Sequence, residues 1–251
     1  MTTPRYFLSA SGRSGLVALG LALLLALGGC ASRPNAHPLD PLEPFNRGVM
    51  QFNDSVDAVF FKPVATVYRD AVPPLARTGV SNFFGNLSDG WSFVNSLLQF
   101  KFQNAAENWM RLNVNTFFGL GGILDIASDL NIERHREDFG QTLGRWGMDT
   151  GPYLVLPFFG PSTVRDSFAL WVDIQADPVH FFTPVAARNV IYGVRTIDAR
   201  SNLLRASAVL EEAALDKYSF TRDAFLQRRR AQIFDTQDGE RNPGSLAPAA
   251  R

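Results

Sequence analysis

Cysteine is nearly missing from the sequence. Cys30 is the only one among 251 residues, so no disulfide can staple the chain to itself. Neither sign of charge is in excess: lysine plus arginine equals aspartate plus glutamate at 24 each. That removes the global basic field behind non-specific nucleic-acid binding, and nucleic acid is not expected as a partner. No apolar run reaches the roughly 20 residues that a membrane-spanning helix needs. Histidine is scarce as well. His37, His135 and His180 show no HExxH spacing, so neither a metal nor a cofactor is expected. No GxSxG elbow is present, and GLGG at Gly119 to Gly122 lacks the strand, glycine spacing and lysine of a phosphate-cradling loop. No catalytic residue is nominated. The chain is expected not to be an enzyme, with a serine hydrolase site assembled from distant segments, or a purely structural, bracing role, as the alternatives.

What the chain does have is phenylalanine, 21 residues against 5 tyrosines. Several come as doublets: Phe60-Phe61, Phe83-Phe84, Phe117-Phe118, Phe158-Phe159 and Phe181-Phe182. A doublet puts apolar surface on two sides of whichever element holds it. At the N-terminus Arg5 and Arg13 precede the apolar run at 16–27, the layout of a cleaved export signal. The run ends in Leu27-Gly28-Gly29-Cys30, which resembles the lipobox of bacterial lipoproteins. The resemblance implies removal of residues 1–29, acylation of Cys30 and, because Ala31 follows instead of Asp, an outer-membrane destination. Residues 30–44 are proline-rich and read as a lipidated tether. The folded domain is expected over 45–234, and 235–251 as a disordered tail.

Within the body the helical period dominates from Phe45 to about Phe118. Phe45, Val49, Phe52, Val56 and Val59 form one stripe, which reads as the core-facing side of an amphipathic helix entered at Pro44 and limited by Pro63. From Asn86 to Phe102, one stripe holds Leu87, Trp91, Val94, Leu98 and Phe102, and a second holds Phe93, Leu97 and Phe100. Two apolar faces need two apolar environments, and one of them can be lipid. Asn104, Asn108, Arg111 and Asn115 then line one face at spacings of four, three and four. Uncharged amides suit either a solvated surface or the wall of a narrow polar passage that meets headgroups or water.

Gly119 to Gly122 stop that helix. The acidic residues Asp125, Asp129, Glu133, Glu137 and Asp138, interleaved with Arg134 and Arg136, read as a salt-bridged loop. Gly140, Gly144, Gly147 and Gly151 suggest turns or a short hairpin near 140–158. GPYLVLPFFGPS, Gly151 to Ser162, carries no charge, and Pro157 keeps it from being one buried strand. An amphipathic stretch follows Arg165-Asp166 and stops near Pro178, and a last helical element covers 201–234. Arg228-Arg229-Arg230 read as its solvated end, or as contacts for lipid phosphates or an acidic partner.

The blocks DPLEPFNR (40–47), GVSNFFGNL (79–87), GLGGILDIA (119–127), EDFGQTLGRWG (137–147) and GPYLVLPFFGPSTVRD (151–166) together resemble the VacJ/MlaA family of outer-membrane lipoproteins. SNLL at Ser201 and DKYSFTRDAFLQRRR at Asp216 add the family's C-terminal pattern. Two departures are local: Gly90 stands where a proline is common and Phe100 where a glycine is common. The resemblance implies an all-α, ring-like body of amphipathic helices within the inner leaflet of the outer membrane, around a polar channel. It further implies association with a trimeric porin and transfer of misplaced phospholipid to a soluble periplasmic carrier, MlaC, preserving outer-membrane lipid asymmetry. Asn104, Asn108, Arg111 and Asn115 are then expected to line the channel.

Overall fold

The computed structural model describes residues 37–234; the leader, Cys30, the first part of the tether and the tail expected at 235–251 lie outside them. Helix α1 (Glu43–Val56) passes through a π-helical turn (Asp57–Phe61) directly into α2 (Lys62–Ala71). Pro63 therefore does not end the helix, contrary to expectation. The π turn bonds Lys62 N–H to the Asp57 carbonyl, re-phasing the ladder just where proline withdraws a donor. Pro73-Pro74 then open α3 (Pro74–Leu98), which turns back through Gln99–Lys101 into α4 (Phe102–Phe117).

Leu120, Gly121 and Gly122 all take positive φ after α4, the stop that the glycines predict. A short α5 (Ile126–Asp129) and an extended segment lead to α6 (Phe139–Arg145). Gly140 and Gly144 thus sit in a helix, not in the turns expected of them, while Gly147 and Gly151 have the positive φ of turn residues. Space explains the helical pair. A Cβ on Gly140 would lie 2.3 Å from Arg229 Nη2 and 2.5 Å from Asp166 Oδ1, and one on Gly144 would lie 2.8 Å from Arg165 Nη1.

The hairpin is real but lies further along. Strand β1 (Tyr153–Leu156) pairs antiparallel with β2 (Gly160–Thr163), Tyr153 opposite Thr163 and Leu156 opposite Gly160. Phe158 and Gly160 supply the positive φ of its turn. The outer edge of β1 is covered by side chains. Asn46 donates to the Tyr153 carbonyl (3.0 Å) and accepts from Val155 N–H (2.9 Å), and Asn53 does the same for Leu156 and Phe158 (2.9 and 2.8 Å). Two amides seven residues apart on one helix face imitate a third strand and close an edge that would otherwise be sticky.

Helix α7 (Val164–Ala176), a 3-10 turn (Pro178–Phe181), α8 (Val185–Ala213) and α9 (Lys217–Ile233) complete the body. The last element is two helices, not one. Asp216 breaks it by capping Tyr218 N–H and forking onto Arg47. The folded body also starts inside the expected tether: Asp40 is fully buried and accepts from Asn46, Tyr218 Oη and Arg222. Among the described residues the fold is accordingly helical apart from one small hairpin.

Its apolar core is small, built on Tyr153, Val155 and Tyr218 with Val49, Met50, Phe225 and Leu226 packed around them. Among the described residues, buried polar and charged side chains outnumber buried apolar ones. The large apolar side chains lie outside: Phe45, Phe52, Phe60, Phe102, Trp109, Phe168 and Trp171 are about half exposed or more. The stripe expected to face the core does so only in part: Val49 packs against it, while Phe45, Phe52 and, in the π turn, Val59 face outward, Val59 at 83% exposure. No helix among the described residues is long and apolar enough to cross a membrane.

Candidate functional site

The inversion is sharpest where α3 and α4 pack side by side. The α3 face turned inward carries Asn86, Asp89, Ser92, Asn95, Ser96 and Gln99, and that of α4 carries Asn108, Arg111 and Asn115, all buried. The polar stripe on α3 escapes a reading that follows hydrophobic residues, yet its spacing of three and four is visible in the sequence. The two apolar stripes expected on α3 lie toward the outside, with Val94, Leu97 and Phe100 exposed.

This polar seam grips the segment from 125 to 142 along its length. Asn115 accepts from Ala127 N–H (2.8 Å) and donates to Asp125 (2.9 Å). Arg111 Nη2 reaches both oxygens of Asp125 and the Ser128 hydroxyl, while Nη1 donates to the Ile132 carbonyl. Asn108 pairs with both main-chain groups of His135, at 2.9 and 3.1 Å. Ser92 exchanges hydrogen bonds with the main chain of Glu137, whose carboxylate receives Gln99 (3.0 Å) and Lys101 (2.8 Å). Thr142 donates to Asn95 at 2.7 Å.

Charge is balanced inside the seam. Arg134 Nε stands 3.0 Å from Asp89, Arg111 Nε is 3.6 Å from it, and Gly85 leaves the room for the Arg134 guanidinium. Burial pushes the Asp89 carboxyl above its ordinary value despite these two arginines. At Asp125 burial pulls upward too, but hydrogen bonds from Ser128 and Asn115 and the charges of Arg111 and Arg134 outweigh it, leaving the carboxyl below the usual range.

A second clamp fixes α6. Arg229 forks onto Asp138 (2.6 Å twice) and reaches Asp166 (2.9 Å). The middle arginine of the 228–230 run is thus half-buried and structural, while Arg228 and Arg230 are exposed.

Of the four residues expected along a channel, three are closed off in this structure. Asn108, Arg111 and Asn115 are 0, 1 and 1% exposed, their polar atoms turned onto the 125–137 segment and not toward an open passage. A stripe of amides can satisfy backbone as readily as water, and here it satisfies backbone. Asn104 differs. It is half-buried and lines an open pocket of about 500 Å³ together with Arg134, His135, Arg136, Glu137, Gln141 and Gln232. A smaller pocket of about 250 Å³ lies between α1, α8 and the hairpin tip, walled by Phe61, Phe158 and Phe159 and floored by Asn53, Asp57 and Arg200.

Metal chemistry has one conceivable location among the described residues, since Glu107, Glu133 and His135 bring donor atoms within 4.8 Å of one another. His135 Nε2 is already spent on Glu107 at 2.5 Å, and that hydrogen bond holds the Glu107 carboxyl below its ordinary value. The arrangement accounts for itself as a hydrogen-bonded pair.

Comparison with known proteins adds a family. The model of the MlaA lipoprotein family matches residues 38–232. The chain is 36% identical to the Escherichia coli intermembrane phospholipid transport system lipoprotein MlaA over 92% of its own length and 91% of the relative's. The Haemophilus influenzae protein of the same name is 34% identical, with coverages of 84% and 87%. A solved structure described as the structural basis for maintenance of bacterial outer membrane lipid asymmetry superposes with a TM-score of 0.68 at 34% identity, covering 77% of this chain and 98% of the other. With its polar seam, outward aromatics and edge-capped hairpin, this chain belongs to the MlaA lipoprotein family.

Proposed function

We propose that this protein is the outer-membrane component of an intermembrane phospholipid transport system, withdrawing misplaced phospholipid from the outer leaflet and passing it toward the inner membrane. The observation that carries this reading is the inversion of the fold: the interior holds amides, arginines and aspartates, while the large phenylalanines and tryptophans lie outside. Moving one such apolar side chain from water into an apolar phase is worth about 1.5–3 kcal/mol, so this surface favours acyl chains over water. Phe52 on α1 meets Phe158 at the hairpin tip edge to face, with ring centroids 5.4 Å apart. That contact joins helix and hairpin into one apolar surface. GPYLVLPFFGPS then has its solvent: Tyr153 and Val155 face the small core, and Phe158 and Phe159 face lipid.

The body lies sideways in the inner leaflet of the outer membrane, held there by an acylated Cys30, with its helices in the bilayer plane. Carrying two acyl chains of about 16 carbons through water costs roughly 25 kcal/mol at about 0.8 kcal/mol per methylene. The tails must stay sheltered while the headgroup follows a polar path, which a ring around a polar channel provides. Asn108, Arg111 and Asn115 hold the 125–137 segment in place beside that path, and Asn104 faces it. A trimeric porin supports the body in the membrane, and a soluble MlaC-like carrier receives the lipid. The protein acts without catalysis or cofactor of its own.

The test is to place the acylated full chain in liposomes with labelled phospholipid and present the carrier outside. Intact lipid on the carrier is the expected result. Released fatty acid supports a hydrolase instead, and unchanged lipid distribution overturns the transport reading.

A further inference from the structure

The 500 Å³ pocket beside Asn104 differs from the rest of the polar interior in how its donors are used. Elsewhere in the seam, arginines and amides are spent on carboxylates and main chain. Around this pocket, the side chains of Asn104, Arg136 and Gln232 have no hydrogen-bond or ion-pair partner among the described residues. They come from three separate elements: α4, the extended segment before α6, and the C-terminal turn of α9.

Most other charged groups at the pocket have partners. Glu137 is paired with Lys101 at 2.8 Å and Arg134 with Asp89 at 3.0 Å, and His135 Nε2 is hydrogen-bonded to Glu107. The cation lining the pocket without a carboxylate partner is the exposed guanidinium of Arg136. Its main chain is nailed down on both sides. Asn108 holds the N–H and carbonyl of His135, buried Gln141 donates to the carbonyl of Arg136 itself (3.1 Å), and Ser92 holds Glu137. A fixed backbone carrying an unpaired planar cation, with two uncommitted amides lining the same pocket, offers donors to a small oxyanion.

We propose that this pocket is an anion-recognition site for a phosphodiester, with Arg136 supplying the charge and Asn104 and Gln232 the flanking hydrogen bonds. The anion class follows from the residues alone; its assignment to a phospholipid headgroup rests on the transport reading. A soluble phosphate shares the same chemistry. The site is distinct from the buried seam, because the seam's arginines and amides are each tied to a carboxylate, a side chain or main chain while this one faces an open space of about 500 Å³.

Calorimetry on the full chain in detergent separates the cases, using dihexanoyl phosphatidylglycerol, inorganic phosphate and, as an uncharged control, dihexanoylglycerol. Saturable binding of the phosphatidylglycerol is expected, weakened about tenfold or more by Arg136→Ala, as for loss of one charge-assisted hydrogen bond, and partly retained in Arg136→Lys. Dihexanoylglycerol should not sense either substitution. Inorganic phosphate binding as tightly, with the same Arg136 dependence, assigns the site to a soluble anion and overturns the headgroup assignment. If Arg136→Ala binds every ligand like the parent, the site does not exist. Because Arg136 is exposed, its replacement should leave the melting temperature unchanged. Lipid passage to the carrier in the same preparation tells the two readings apart: passage intact with no Arg136 effect sinks only the pocket, whereas no passage by the parent protein sinks transport.

Discussion

Nη2 of Arg111 donates to both carboxylate oxygens of Asp125, at 2.6 and 2.9 Å, tying α4 to the start of the segment that leads to α6. The guanidinium is 1% exposed and also faces Asp89. Replacing it with leucine leaves two carboxylates short of a counter-charge in a buried place, which costs about 3–5 kcal/mol. Arg111→Leu is therefore expected to lower the unfolding free energy by that amount in detergent, and to speed amide exchange at Ala127 and His135, the N–H groups held by Asn115 and Asn108. A loss below about 1 kcal/mol would show that the segment is held by other means.

Two glycine-to-alanine changes should move stability in opposite directions. At Gly140 the new Cβ would stand 2.3 Å from Arg229 Nη2 and 2.5 Å from Asp166 Oδ1, so the clamp must open, at a cost of about 3 kcal/mol or more. At Gly90, in the middle of α3, the nearest atom is Leu112 Cδ2 at 3.7 Å. That is an ordinary contact, so Gly90→Ala should gain up to about 1 kcal/mol from helix propensity. Chemical denaturation of both variants checks the pair, and equal signs would contradict the spatial argument.

Phe100 occupies the α3–α4 turn with φ of 60° and is 74% exposed. A side chain in the left-handed region costs about 1 kcal/mol relative to glycine. Phe100→Gly should raise the unfolding free energy by about that amount in detergent. If the ring is one of the groups immersed among acyl chains, the same change should weaken liposome binding. Flotation assays read the second effect independently of the first, and unaltered flotation would place Phe100 outside the bilayer.

How much of this was legible in the sequence differs by element. The glycine stop after Phe117 and the α7 boundaries follow from turn chemistry and periodicity, which act over a few residues; a hairpin was legible too, but placed too early, near 140–158 and not at 153–163. The α1 stripe was legible as a stripe but not as to how much of it faces out, because period alone does not say what the apolar face meets. Asn108, Arg111 and Asn115 were legible as a stripe too. Their partners, Asp125, Ala127 and His135, lie 10 to 27 residues away, so only the fold decides whether an amide serves water or main chain. Gly140 and Gly144 read as turns because the reason for them is Arg229 and Arg165, which no local pattern announces. The free Arg136 was masked by its acidic neighbours, and becomes visible only once Glu137 and Asp138, which follow it, are matched to Lys101 and Arg229.

Acid should act on the two clamps with opposite signs. Burial raises Asp138, but the two hydrogen bonds and the charge of Arg229 outweigh it, so the folded carboxyl lies below its ordinary value of 3.8. The unfolded chain then takes up the proton first, and this contribution to stability is complete above about pH 4 and disappears as pH falls through the lower folded value. Asp89 is held above 3.8 by burial. There the folded state takes the proton first, so protonation of Asp89 favours the fold as pH falls toward the unfolded value. Unfolding free energies measured from pH 7 to pH 2 should accordingly show a shallower acid loss in Asp138→Asn, which keeps an amide acceptor for the helix cap, than in the parent. Asp89→Asn, which lacks the compensating gain, should show a steeper one. A curve for Asp138→Asn parallel to the parent's throughout would mean that Arg229 does not stabilise the charged form of Asp138.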